Sequence, residues 1–221
     1  MASACLIRLP VWSYQEVRSY LTAGFQLAPE RTVRMTGLLF ARPESPLAKS
    51  EIMPNMSYFN HRSGNHIDVF MAGYLQVSGT ITDGALEFSV PNFDEFRQEI
   101  ESMTRWRYSG GVDLVLTNAR LDEERGGAFL DFSSAIAINL DDAKRIGAID
   151  TVEMFFEKIF RYAETQSGDD PTWGFSDQAG LRAAGSALIA LVLSLLPASI
   201  QQEITKTAKF CVSDIRPQPA T

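Results

Sequence analysis

Histidine and cysteine are scarce: the 221-residue chain has two of each. Cys5 and Cys211 stand near opposite ends and neither belongs to a C-x-x-C pair, so dithiol redox chemistry and cysteine-based zinc sites lack their residues. Positive charge is also in deficit. Lys and Arg number 20 against 27 Asp and Glu, a formal net charge of −7. Such a surface repels polyphosphate backbones, and the densest cationic run, Arg105-Trp106-Arg107-Tyr108, is too short to reverse that. Nucleic acid is therefore not the expected partner. Long apolar spans are missing as well. No charge occurs from 183 to 200, and a helix over the first fourteen of these residues rises about 21 Å, short of the roughly 30 Å hydrocarbon layer. Pro197 interrupts any extension. The first residues carry no basic segment followed by an apolar stretch, so a cytoplasmic location is expected.

What is present is ordinary globular composition, with 45% hydrophobic and 21% charged residues. Residues 5–9 read as a short strand ended by Pro10. Ser13 and Glu16 form a capping box for a helix to about residue 22, stopped at Gly24. Residues 32–41 make an apolar strand. The following 42–65, with prolines at 43, 46 and 54, read as a long loop, a kind of segment that often carries function. Strands are expected over 66–74 and 85–90. A helix then begins at an Asn92/Glu95 capping box and is stopped by the Tyr108–Gly111 segment. Strands at 112–116 and 127–140 follow, then helices capped by Asp141 and by Asp150 with Glu153. Residues 166–175 are a linker candidate between a mixed α/β domain over 1–165 and a helical C-terminal segment over 176–221.

These elements predict an α/β protein: a mixed β-sheet flanked by helices, with a helical C-terminal third. From Thr32 the order is strand, long loop, strand, helix, strand, strand, helix. That order resembles a thioredoxin-like fold, with extra strands near Val77 and Ala85. The resemblance implies no oxidoreductase activity, since the redox pair is absent.

The densest group of chemically capable side chains is Tyr58-Phe-Asn60-His61-Arg62-Ser63-Gly64-Asn65-His66-Ile-Asp68. If His66 opens a strand, His66, Asp68 and Phe70 project to one face. A carboxylate beside an imidazole raises its basicity and fixes its tautomer. Three readings compete. His61, His66 and Asp68 would be a sparse metal set, with no histidine elsewhere to complete it. Arg62, the Gly64 backbone and the imidazoles of His61 and His66 could bind a small anion, with Asn60 and Ser63 in the same ligand set. The third reading is structural: turn formers, with Asp68 pairing Arg62 or His66.

A second candidate is Arg105, Arg107 and Tyr108, where an Arg–aromatic alternation could hold a ligand or simply stop a helix at Gly110-Gly111. Neither a G-x-S-x-G elbow nor an H-E-x-x-H motif occurs, and Ser109 has no evident base partner.

Two functions follow. In one, the chain is a non-catalytic binding or assembly module. It engages a protein partner, a second copy of itself or a small anionic ligand through residues 42–68 and the apolar C-terminal helix. In the other it is a small hydrolase or transferase for an anionic substrate, with His66 as base, Asp68 as its orienter and Arg62 as clamp. The sequence assigns no metal and names no cofactor. The discriminating geometry is whether the 60–68 cluster and the Arg105–Tyr108 run converge on one cavity.

Overall fold

The apolar run that follows Thr32 folds into β2 (Val33–Ala41), and all but its first residue are buried. Such continuous burial marks a strand covered on both faces. The computed structural model describes residues 10–11, 13–28, 30, 32–63, 67–76, 86–122, 126–165, 212–215 and 217. The other strands are β1 (Pro10–Val11), β3 (Ile67–Ala72), β4 (Tyr74–Gln76), β5 (Leu86–Phe88), β6 (Val112–Asp122), β7 (Gly127–Asn139) and β8 (Val212–Asp214). Six of them form one sheet in the order β1-β3-β2-β6-β7-β8, and β4 with β5 makes a separate two-stranded ribbon. β1, β3 and β2 run parallel; β6, β7 and β8 join antiparallel. The sheet is thus mixed and flanked by helices, an α/β fold. At its centre the parallel pair β3-β2 is continued by the antiparallel strands β6 and β7.

Alternation along the strands sorts the core into two layers. Met35, Leu39, Val69, Leu114, Leu116 and Ile136 face one side, where α2 (Met56–Arg62), α4 (Leu140–Arg145) and α5 (Val152–Thr165) cover them. Leu38, Phe40, Phe70, Val115 and Ala137 face the other, beneath α1 (Tyr14–Leu27) and α3 (Val90–Met103).

Several expectations are corrected by tertiary packing. Residues 42–65 are not a long loop: a π-helical turn (Ala48–Ile52), a 3-10 turn (Met53–Asn55) and α2 occupy most of it. Pro54 lies in the first turn of its element, where a missing N–H costs nothing. Ala48, Ile52, Met56 and Phe59, three or four residues apart, bury one helical face. α1 continues through Gly24 to Leu27, because that extension places Phe25 in the core. Ser89, not Asn92, caps α3, and Asn139, not Asp141, caps α4. Thr151, not Asp150, caps α5, its hydroxyl oxygen accepting the Met154 N–H at 3.1 Å. α3 ends at Met103, so Gly110-Gly111 is not its stop. The chain end includes a short strand, β8, on the β7 edge. Residues 5–9, the 82–84 turn, the linker candidate and the apolar helix at 183–196 lie outside the described residues.

Candidate functional site

The described residues of the 60–68 cluster are the end of α2 with Ser63, and the first two residues of β3. Asn60, His61 and Arg62 lie in the last turn of α2; Ser63 follows, buried, its hydroxyl donating to the Asn60 carbonyl at 3.1 Å. His61 is exposed, and His66 lies outside the described residues. Arg62 turns onto α5. Its Nε and Nη2 donate to the two carboxylate oxygens of Glu157, both at 3.1 Å, and Nη1 meets Glu164 at 3.1 Å. The Tyr58 hydroxyl donates to the same Glu157 carboxylate. An anion clamp needs an open guanidinium fork, and this one already holds a carboxylate.

Asp68 does project to the same face as Phe70, as the strand pattern requires, but its charge partner is Arg34 of the neighbouring strand. Arg34 Nε lies 2.7 Å from Oδ2 and Nη2 3.3 Å from Oδ1, with both side chains almost fully buried. Of the two partners that the structural reading offers Asp68, Arg62 is bound instead to Glu157 and Glu164, and His66 lies outside the described residues. Parallel registry brings Thr36 opposite Asp68, which sets Arg34 one strand residue pair away on the same face. Among the described residues, no group of three or more His, Cys, Asp or Glu side chains could hold a metal ion.

Hydrogen bonds from Arg62, then from Tyr58, hold the Glu157 carboxyl down at about 2. A carboxyl depressed in the fold adds stability above its ordinary value of 4.5, and that stability is lost as pH falls toward 2. At neutral pH, Glu157→Gln should therefore cost about 1 kcal/mol, the scale of a partly exposed pair. Denaturant midpoints of the variant and the parent should converge between about pH 5 and pH 2. A gap that stays constant through that range would remove Glu157 as the source.

The Arg105–Tyr108 run lies at the other end of the sheet. Val112 at the start of β6 pairs with Ala41 at the carboxyl end of β2, whereas Arg34 lies near its beginning. Nine strand residues separate the ends by roughly 26–30 Å, so the described members of the two expected groups do not share a cavity. The start of the 42–65 segment does reach this second end. Arg42 donates to Asp94 at 2.9 Å and its guanidinium lies 5.1 Å from the centre of the Phe93 ring. Phe93 meets the Tyr108 ring at 5.3 Å. At the carboxyl ends of parallel strands, connections to opposite faces diverge and leave room for ligands.

Here the expected ligand residues take structural duties. Arg107 Nη1 donates to the Glu101, Thr104 and Trp106 carbonyls, closing the end of α3. Tyr108 donates its hydroxyl to the Gly111 carbonyl at 2.6 Å; burial, then the nearby Asp113 charge, pushes its phenol up to about 12. The Arg105 side chain is exposed while its backbone N–H donates to Ile215 at 3.0 Å.

Between these groups lies a cavity of about 140 Å³ lined by Trp106, Arg107, Ser109, Asp113, Ala137, Asn139 and Ser213. Its chemistry centres on Asp113, only 3% exposed. Ser109 donates to it twice, from Oγ at 2.6 Å and from its backbone N–H at 2.9 Å, and Trp106 Nε1 donates at 3.2 Å. Burial raises the Asp113 carboxyl above its ordinary value; the three hydrogen bonds oppose this and the neighbouring Asp141 charge adds to it. Asn139 Oδ1 accepts the Asp142 N–H at 2.8 Å, and Asp141 accepts the Val112 N–H at 2.5 Å. The loop and both strand ends are thus held rigidly around the space.

Sequence reasoning passed over Asp113, Ser109, Trp106, Asn139 and Ser213 as a group. One signal was available: Asp113 is a lone acid inside the apolar run Val112-Asp-Leu-Val-Leu116. A buried strand keeps such a charge only where partners surround it. No family model, no curated protein and no solved structure matches the chain. No helix among the described residues is long and apolar enough to cross a membrane.

Proposed function

We propose that the protein is a non-catalytic binding module whose ligand enters the polar cavity between the Trp106–Ser109 loop and the β6, β7 and β8 strands. The observation that carries this reading is the cavity itself, a concave space lined by convergent polar groups around one buried carboxylate. Its position, level with the carboxyl end of β2, is where α/β sheets favour ligands. The hydrolase or transferase reading is supported less well, because it needs Asp68 and Arg62 for chemistry. Those side chains already serve Arg34, Glu157 and Glu164. A protein partner or a second copy remains within the proposal, as does a cytoplasmic setting.

The test is a fragment screen read by NMR on the full chain. Fragments that bind should shift the Trp106 indole N–H signal. Filling the cavity mouth with Ser213→Phe, at an exposed position of β8, should abolish those shifts without lowering stability. If no fragment moves the Trp106 signal, or if Ser213→Phe leaves every shift intact, the cavity is not a binding site.

A further inference from the structure

The cavity has a charge character that narrows what it takes, an inference that rests on its being a ligand site. An ammonium group carries three donors and no acceptor, so it requires several converging acceptors and a counter-charge. In the residues of the wall, Asp113 Oδ1 and Asn139 Oδ1 each accept one hydrogen bond, from Ser109 Oγ and from the Asp142 N–H, and so keep a second lone pair, and Ser213 adds a hydroxyl. The counter-charge is Asp113, and Asp141 lies close enough to act on it through space. Arg107 is the cation in the wall, but its Nη1 is turned onto three carbonyls at the end of α3, where a helix presents partial negative charge. A small anion would have to sit against the Asp113 carboxylate. A cation of similar size relieves the cost of keeping that carboxylate buried.

We infer that this cavity binds a primary ammonium group, presented either by a small free amine or by the tip of a lysine side chain. The volume sets the scale. About 140 Å³ accommodates a chain of four carbons and a nitrogen but falls well below the pockets that hold drug-sized molecules.

The experiment is an NMR titration of the full chain with three probes of one size: n-butylammonium, 1-butanol and butyrate. The Trp106 indole N–H and the Asn139 side-chain amide are the reporters. n-Butylammonium is expected to bind with a roughly millimolar dissociation constant, as suits five heavy atoms. 1-Butanol and butyrate are expected to bind at least tenfold more weakly. Asp113→Asn retains shape: its amide oxygen accepts from Ser109 N–H and Trp106, and its NH₂ donates to the Ser109 hydroxyl. Its thermal midpoint should stay near that of the parent, while n-butylammonium binding falls at least tenfold.

Nα-acetyl-lysine amide separates the two sources. Binding like n-butylammonium assigns a lysine side chain, whereas exclusion assigns a free amine; either supports the ammonium site. Equal binding by Asp113→Asn, or preference for butyrate, overturns the ammonium assignment while leaving the cavity a ligand site. Failure of all three probes, together with a fragment screen that never moves Trp106, overturns both.

Discussion

Replacing Asp68 with alanine is expected to destabilise the protein by about 3–5 kcal/mol, the cost of leaving a buried charge without its counter-ion. Arg34 is 4% exposed, and Asp68 meets its guanidinium with both carboxylate oxygens. Water cannot reach Arg34 well enough to replace the lost carboxylate, so the variant retains a desolvated cation in the sheet. The pair as a unit is another matter. Its mutual attraction offsets the cost of dehydrating both groups, so replacing both by apolar residues is often neutral or stabilising. Arg34→Met with Asp68→Val should therefore recover most of the stability lost in Asp68→Ala. Equilibrium denaturation of the two variants and the parent checks this. A double variant as unstable as the single one would show that the pair contributes something apolar packing cannot supply.

The same set of variants bears on function. A loss of activity or binding in Asp68→Ala alone would be uninformative, since the protein would be partly unfolded. The double variant isolates chemistry from stability. The binding reading expects it to take up ligand normally, because Asp68 on β3 lies level with Thr36 while the cavity's Asp113 lies level with Phe40, two strands away across the sheet. Loss of binding in a stable double variant would bring the 60–68 region back as the site.

Trp106→Ala should cost a similar amount, about 3–5 kcal/mol, for a different reason: it empties a packed site. The indole is 3% exposed, and its ring lies 4.4 Å from that of Phe40, which also packs on Phe93 and Phe96. Removing it opens the floor of the cavity and takes one donor from Asp113. Trp106→Phe separates these effects, since it retains a ring against Phe40 but lacks the indole N–H. It should cost only about 1.5–3 kcal/mol, the scale of a hydrogen bond to a charged group. Thermal unfolding checks the order: parent, then Phe, then Ala. A Phe variant as unstable as the Ala variant would mean that ring packing contributes little and the Asp113 contact dominates.

The sheet was legible for a local reason. Residues 33–41, 67–72 and 112–116 are apolar runs bounded by polar residues and turns, and burial on both faces leaves that pattern in sequence. The segment after Ala41 was not legible as helix, because its prolines read as loop markers. Pro54 in fact lies in the first turn of a helical element, and the spacing of Ala48, Ile52, Met56 and Phe59 would have shown it. The polar cluster at 60–68 is dense in the sequence, but the partners of Arg62 and Asp68 are not legible there. Glu157 is 95 residues from Arg62, and Arg34 is 34 residues from Asp68.

Cysteine and histidine scarcity, acidic charge and the alternation of strands and helices are properties of the chain itself. They determined an α/β fold and turned expectation away from thiol chemistry and nucleic acid, because local periodicity and net charge need no knowledge of contacts. Which carboxylates are spent on partners and which faces a cavity was decided only by the tertiary structure. Charge pairing depends on separations of a few ångströms between residues far apart in sequence, and registry across the sheet sets those separations. Arg34 came to rest on Asp68 and Arg62 on Glu157, and Asp113 was left at the cavity.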